Sequence, residues 1–205
     1  ISTSGAASHA IKIDGNSSSD SNTVSSSGTI VTTGDASHGV YIDTTGSHSL
    51  TVSGSISTSG ENSYGVYVLG DSNTLNISGT ISVSGTNNNG IYLYDADSNS
   101  TTMSGNITVT DGYGLVIQES DSNTTDISGD ISATGDYAVG AYFVNSDSNI
   151  LTVGNITSVG TTSGSGIYLN DSDSNTININ GKVSASGGNN NAIVANSTSD
   201  NNTFT

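Results

Sequence analysis

The chain has no cysteine, no proline, no tryptophan and no arginine, and only Lys12 and Lys182 among its 205 residues carry a positive side chain. Each absence narrows the field. Without cysteine there are no disulfide staples, a state compatible with export only if the fold holds itself together by other means. Without proline every residue keeps its backbone N–H for a strand ladder. Two lysines against eighteen acids leave a net charge of -16. That excludes nucleic acid, whose binding needs Lys and Arg to displace counterions, and anionic membrane surfaces. No apolar run is long enough to span a bilayer, so no membrane insertion is expected in this segment.

Hydrophobic residues are also scarce, at 31%, too few for a conventional globular core of this length. Either the chain is disordered or its apolar residues recur at a fixed period and are buried by stacking. Disorder predicts no order in where Ile and Val fall. They fall in order: eight copies begin at Ile1, Ile30, Ile56, Ile81, Ile107, Ile131, Ile156 and Val183, most of them 24 to 27 residues apart.

Each copy holds three short segments. Gly79-Thr80-Ile81-Ser82-Val83-Ser84-Gly85 exemplifies the first, Gly65-Val66-Tyr67-Val68 the second and Asn73-Thr74-Leu75-Asn76-Ile77-Ser78-Gly79 the third. Apolar and polar residues alternate in all of them, which is the period of a strand and not of an amphipathic helix. One copy alone buries too few side chains to offset the entropy of ordering about 25 residues. Stacked copies, paired in parallel about 4.8 Å apart with like residues over like, solve this. The sequence therefore predicts an all-β fold, a single parallel β-solenoid domain over residues 1–205, of about eight rungs with three strands each. Gly65, Gly90, Gly140 and Gly166 recur just before the second strand, where a corner with positive φ is expected.

The run SGTISVSGTNNNGIYLYDADSNSTTMSGNITV, residues 78–109, resembles the passenger repeats of bacterial autotransporter adhesins, and the resemblance spans the whole chain. It implies a right-handed β-helix, a location outside the cell or on its surface, and a role as stalk, filament or adhesin. Neither end carries an atypical polar cap of the kind solenoids use. A window cut from a longer array is expected, with head-to-tail stacking of open ends as the rival explanation.

The corner between the second and third strands carries Asp-x-Asn in seven rungs of eight: Asp20/Asn22, Asp71/Asn73, Asp97/Asn99, Asp121/Asn123, Asp147/Asn149, Asp173/Asn175 and Asp200/Asn202. In rung two Gly46, Ser47 and His48 fill it. Stacked Asn73, Asn99, Asn123, Asn149 and Asn175 are expected to form a side-chain hydrogen-bond ladder and to tolerate the left-handed conformation of a turn. The aspartates are harder to account for, because stacked carboxylates repel by roughly 1 kcal/mol per neighbour in water. Asp95, Glu119 and Asp171 add a second acid two residues earlier, so ten acids lie on this edge with no lysine among them. Two readings stand. One is Ca²⁺ held between rungs by Asp71, Asp95, Asp97, Glu119, Asp121, Asp147, Asp171 and Asp173, since hard oxygen-rich clusters suit that ion. The other is a solvated acidic edge that starts Asx-type turns and deters aggregation.

Along the second strand Tyr41, Tyr67, Tyr92, Tyr142 and Tyr168 alternate with buried Val, Ile and Leu, and are expected to point outward. Val116 and Val194 interrupt the column and Lys12 replaces it in rung one. Such a stripe either binds a partner, a sugar or another solenoid, or stacks on itself for stability. Ser57/Ser59, Ser82/Ser84, Thr108/Thr110 and Ser132/Thr134 give the first strand a hydroxylated outer face, of the kind ice-binding solenoids present.

Catalysis is not expected. A β-helix lyase needs a cationic base and there is no Arg, while a hydrolase needs a localised pair of carboxylates with divided roles; here the acids repeat like architecture. His9 and His38 match in adjacent rungs, a spacing that suits a transition metal, but Tyr64 and Asn89 continue their column as ordinary repeat positions. The expected partners are the chain itself or surface glycans.

Overall fold

A computed structural model describes residues 1–15 and 21–205. Asp20, the first member of the acid column, lies outside the described residues. Among the described residues the fold is the expected all-β parallel solenoid, of about eight rungs, and each strand pair is parallel.

Eight third strands, Thr23–Ser26, Ser49–Val52, Thr74–Ile77, Ser100–Met103, Thr124–Ile127, Ile150–Val153, Thr176–Ile179 and Thr203–Phe204, stack into one continuous sheet. First and second strands form the other two walls. They are separate in the early rungs, as Ile81–Val83 and Asn88–Tyr94 illustrate, but merge into single long strands at Ile156–Asn170 and Val183–Ala195. The register breaks between Gly160 and Ser163, where the merged strand rounds the corner.

Like residues sit over like. Ile30, Ile56, Ile81, Ile107, Ile131, Ile156 and Val183 form one inward column, and Val40, Val66, Ile91, Leu115, Ala141 and Ile167 another. Nearly all of these are fully buried, each worth about 1.5–3 kcal/mol for the larger aliphatics. Rung six departs from the pattern by combining Ala133 and Ala141 with Phe143, also fully buried, so that total volume stays within what one rung can hold. Two further exceptions face the core: Thr101 and Thr125, adjacent in the third-strand column between Leu75 and Leu151, have buried hydroxyls with no hydrogen-bond partner.

The recurrent glycines act otherwise than expected. Gly65, Gly90, Gly140 and Gly166 do not have positive φ. Their constraint is space: a methyl on Gly90 would overlap the Cγ2 of Ile107 and the carbonyl oxygen of Gly114 in the next rung, and the same clash repeats along the column. Positive φ falls mainly on other residues, Ser72, Ser98, Ser122, Ser148 and Ser174 among them.

Candidate functional site

The Asp-x-Asn corner is the most regular chemical feature, and its geometry follows from the strand that enters it. After the second strand the chain turns so that the serine and the asparagine of the corner face in and the two residues between them face out. In rung six Ser146 and Asn149 point inward and are fully buried, while Asp147 is exposed.

Each buried Asn spends its Oδ1 on the backbone N–H of the equivalent residue in the preceding rung. Asn73 N–H donates to Asn99 Oδ1 (2.7 Å), Asn99 to Asn123, Asn123 to Asn149 and Asn149 to Asn175 (2.8 Å each). Side-chain amides in turn donate to corner carbonyls, Asn149 Nδ2 to Ser120 O and Asn175 Nδ2 to Ser146 O, both at 2.9 Å. The ladder is thus chiefly side chain to backbone; only Asn123 and Asn149 bond amide to amide, at 3.1 Å. Nor do the five ladder asparagines take the left-handed conformation. The serine before each of them does, together with Asp95, Glu119, Asn145 and Asp171, because an Asn that turned left-handed would swing its amide away from the interior.

The aspartates, all exposed but for the half-buried Asp173, form a second ladder of opposite direction. Asp71 Oδ1 accepts from the N–H of Asp97, Asp97 from Asp121, Asp121 from Asp147 and Asp147 from Asp173, each at 2.7 Å, and Asp173 from Asp200 at 2.6 Å. These charge-assisted bonds are what offsets the stacking of carboxylates. From rung three to rung eight each interface is therefore sewn from both sides, by Asn reaching back and Asp reaching forward.

The periodic pattern does not flag two further columns. Ser120, Ser146, Ser172 and Ser199 each accept, through Oγ, the backbone N–H of the preceding rung at 3.0–3.1 Å. Asn106, Asp130 and Asn155 do the forward equivalent before the first strand. A serine three residues ahead of Asn123, Asn149 and Asn175 was the available signal. His48, the apparent exception, belongs to the ladder: its Nδ1 accepts from Asn22 N–H at 3.1 Å and its own N–H donates to Asn73 Oδ1 at 3.0 Å. An imidazole nitrogen replaces the carboxamide oxygen, leaving Nε2 buried without a partner.

His9 and His38 play the same part elsewhere. Their Nδ1 atoms accept the N–H groups of His38 and Tyr64, at 3.1 and 3.0 Å, and their rings stack with centroids 4.8 Å apart. Burial, then the nearby His9, lowers the His38 pKa to about 3; burial and Lys12 lower that of His9.

The residues expected to hold Ca²⁺ stand in two files along this edge. Asp71, Asp97, Asp121, Asp147 and Asp173 have one oxygen engaged in the ladder. Asp95, Glu119 and Asp171 are exposed in left-handed turns beside them. Among the described residues, no three His, Asp or Glu side chains gather closely enough to hold a metal ion.

On the second-strand wall Tyr41, Tyr67 and Tyr92 are in register, as are Tyr142 and Tyr168, with Val116 between the two groups. All five are half-buried, not fully outward. Tyr67 and Tyr92 stack at 5.1 Å, and a chain of ring contacts joins His9, His38, Tyr41, Tyr64, Tyr67, Tyr92 and Tyr94. Burial raises the phenol pKa of Tyr67, and pushes that of Tyr92 up to about 12 with help from Tyr64, Tyr94 and Glu119. Tyr92 Oη donates to Gln118 Oε1 at 2.8 Å.

No helix among the described residues is long and apolar enough to cross a membrane. Compared with family models, with curated proteins and with solved structures, the chain matches none.

Proposed function

We propose that this chain is a rigid, non-catalytic scaffold outside the cell, a stalk or filament segment on a bacterial surface whose length is set by the number of its rungs. The observation that carries this reading is the pair of opposed Asp and Asn ladders, which rebuild one corner from rung to rung. A device that repeats along an axis serves extension, whereas catalysis concentrates unlike groups at one place. The resemblance to autotransporter passenger repeats supports the same location and role. Electron microscopy of source cells with a gold-labelled antibody against the chain tests it: label at a constant distance outside the envelope is expected, and label confined to the cytoplasm overturns it.

A second reading, an adhesive surface for glycans or for further copies of the chain, is favoured by one observation. Seven touching aromatic rings lie along one wall, from His9 to Tyr94. Replacing Tyr67 and Tyr92 by Ser separates it from self-stacking for stability. An adhesive stripe loses binding or bundling with a nearly unchanged melt; a structural stripe loses melting temperature.

A further inference from the structure

Beyond its break at Val116 the tyrosine stripe continues as Tyr142 and Tyr168, which adjoin Tyr113 and Tyr137. We propose that the notch around Tyr137 in rung six is a binding site for a neutral glycan, with Tyr137 as the platform on which a sugar ring lies. This rests on the adhesive reading and is independent of the scaffold reading.

Tyr137 breaks the rule of its corner. Ala36, Asn62, Asn87 and Asp111 hold the same left-handed turn in other rungs with φ of 51–57°, and Tyr137 holds it with φ 60°. Asn and Asp take that conformation at low cost, whereas a bulky aromatic is strained by it. The strain gains little packing, because Tyr137 is 58% exposed. A residue that is locally unfavourable and leaves most of its surface exposed is a candidate for contact with something outside the chain.

Tyr137 and Tyr113 together line two adjoining pockets. One, of about 210 Å³, is lined by Asn87, Asn89, Asp111, Gly112, Tyr113 and Asp136 together with Tyr137. The other, of about 260 Å³, is lined by Tyr113, Tyr137, Tyr142 and Tyr168 over a floor of Val139, Gly164 and Ser165. The floor exists because the column that holds Tyr113 continues as Val139 and Ser165, which leaves the flanking rings of Tyr142 and Tyr168 standing proud. Tyr113 meets Tyr142 edge-on at 5.5 Å, and Tyr142 meets Tyr168 at 5.4 Å.

This lining selects a chemistry. Tyrosine faces suit a flat ring with apolar C–H on one side and hydroxyls around its rim. The carboxylates of Asp111 and Asp136 and the amides of Asn87 and Asn89 supply acceptors and donors for those hydroxyls, in a concave site where aromatic faces and convergent polar groups meet. Charge excludes acidic sugars, since the only cationic side chains, Lys12 and Lys182, do not line the notch and the carboxylates there repel anions. Two adjacent compartments suit consecutive sugar units.

The test is the 205-residue chain on a printed array of neutral, sialylated and sulfated oligosaccharides, with a trimethyllysine peptide alongside, followed by titration of the best binder. Binding to neutral glycans is expected. Tyr137→Asn, which installs the residue that neighbouring corners use, should weaken it roughly tenfold or more while the melting temperature stays equal or rises, and Tyr137→Phe should retain it. Neutral-glycan binding unaffected by Tyr137→Asn overturns the site and leaves the adhesive reading standing. Failure to bind any glycan at millimolar concentration overturns both. Capture of only acidic glycans, or of only the trimethyllysine peptide, a ligand for which aromatic cages with nearby carboxylates are also suited, overturns the ligand class.

Discussion

Replacing Asn149 by Ala removes an acceptor that nothing else can supply. Its Oδ1 takes the buried N–H of Asn123 at 2.8 Å and the Asn123 amide at 3.1 Å, and its Nδ2 donates to Ser120 O at 2.9 Å. Asn149 and Asn123 are fully buried, so water does not reach the groups left behind. An orphaned buried N–H costs about 1–3 kcal/mol. The lost bonds at the Asn123 amide and at Ser120 O, with the space vacated by the side chain, bring the expected total to about 3–5 kcal/mol. Asp147, two residues earlier, also accepts a backbone N–H, from Asp173 at 2.7 Å, but it does so at the surface. Water replaces that acceptor, and Asp147→Ala should cost under about 1 kcal/mol. Because a stacked array opens locally, amide hydrogen exchange read at Asn123 and its neighbours is the appropriate assay. Protection in rungs five to seven should fall by about 100- to 4,000-fold in Asn149→Ala and by less than about tenfold in Asp147→Ala, at about 1.4 kcal/mol per factor of ten. Equal losses in the two variants would refute the assignment of the inner column as the structural one.

Three other outcomes follow from the same geometry. Thr101→Val and Thr125→Val remove hydroxyls that are buried without a partner, so each should stabilise by about 1 kcal/mol; a fall in melting temperature for either would mean that the hydroxyl is satisfied. The His38 pKa is depressed to about 3 from 6.5, so between those values the unfolded chain binds the extra proton. The His38 contribution is therefore full above pH 6.5 and is lost as pH falls toward about 3, at up to about 1.4 kcal/mol per unit; His38→Asn, which keeps an acceptor facing Tyr64 N–H and removes the titrating ring stacked between His9 and Tyr64, should flatten the slope of melting temperature between pH 6.5 and 5. With the Asp ladder already satisfied by N–H groups, 1 mM Ca²⁺ should move the melt no more than a chelator-treated control at matched ionic strength, and a calcium-specific rise would instead support ions bound between rungs.

Much of the fold was legible in the sequence because a solenoid writes its period into the chain. The spacing from Ile30 to Val183 gave the rungs, and alternation within Leu75-Asn76-Ile77 gave the strands, since each rung must bury the same face as its neighbours. The Asp-x-Asn corner was legible as a recurrence but only half legible as chemistry. Whether Asn bonds to Asn or to backbone depends on which residue turns left-handed, and Ser148 does this in place of Asn149. Carboxylate repulsion between Asp121 and Asp147 looked unanswered because the donor that answers it is a backbone N–H, which has no letter in a sequence. Gly90 departs from the expected positive φ for a related reason: a glycine selected by a neighbour's methyl group, Ile107 Cγ2, looks identical in one dimension to a glycine selected by its own φ. His48 hid in the ladder because the equivalence of imidazole Nδ1 and carboxamide Oδ1 is one of position, not of residue type.

The most direct test of this scaffold is whether its rungs are joined as the ladders require. Scalar couplings across hydrogen bonds, measured by NMR on the isotopically labelled chain, report each donor and acceptor pair. Couplings are expected from the amide nitrogen of Ile81 to the carbonyl carbon of Asn106, from Asn123 N to the side-chain carbon of Asn149, and from Asp147 N to the carboxylate carbon of Asp121. Their absence, with those amides exchanging in minutes, would contradict a stacked, in-register solenoid and the scaffold role built on it.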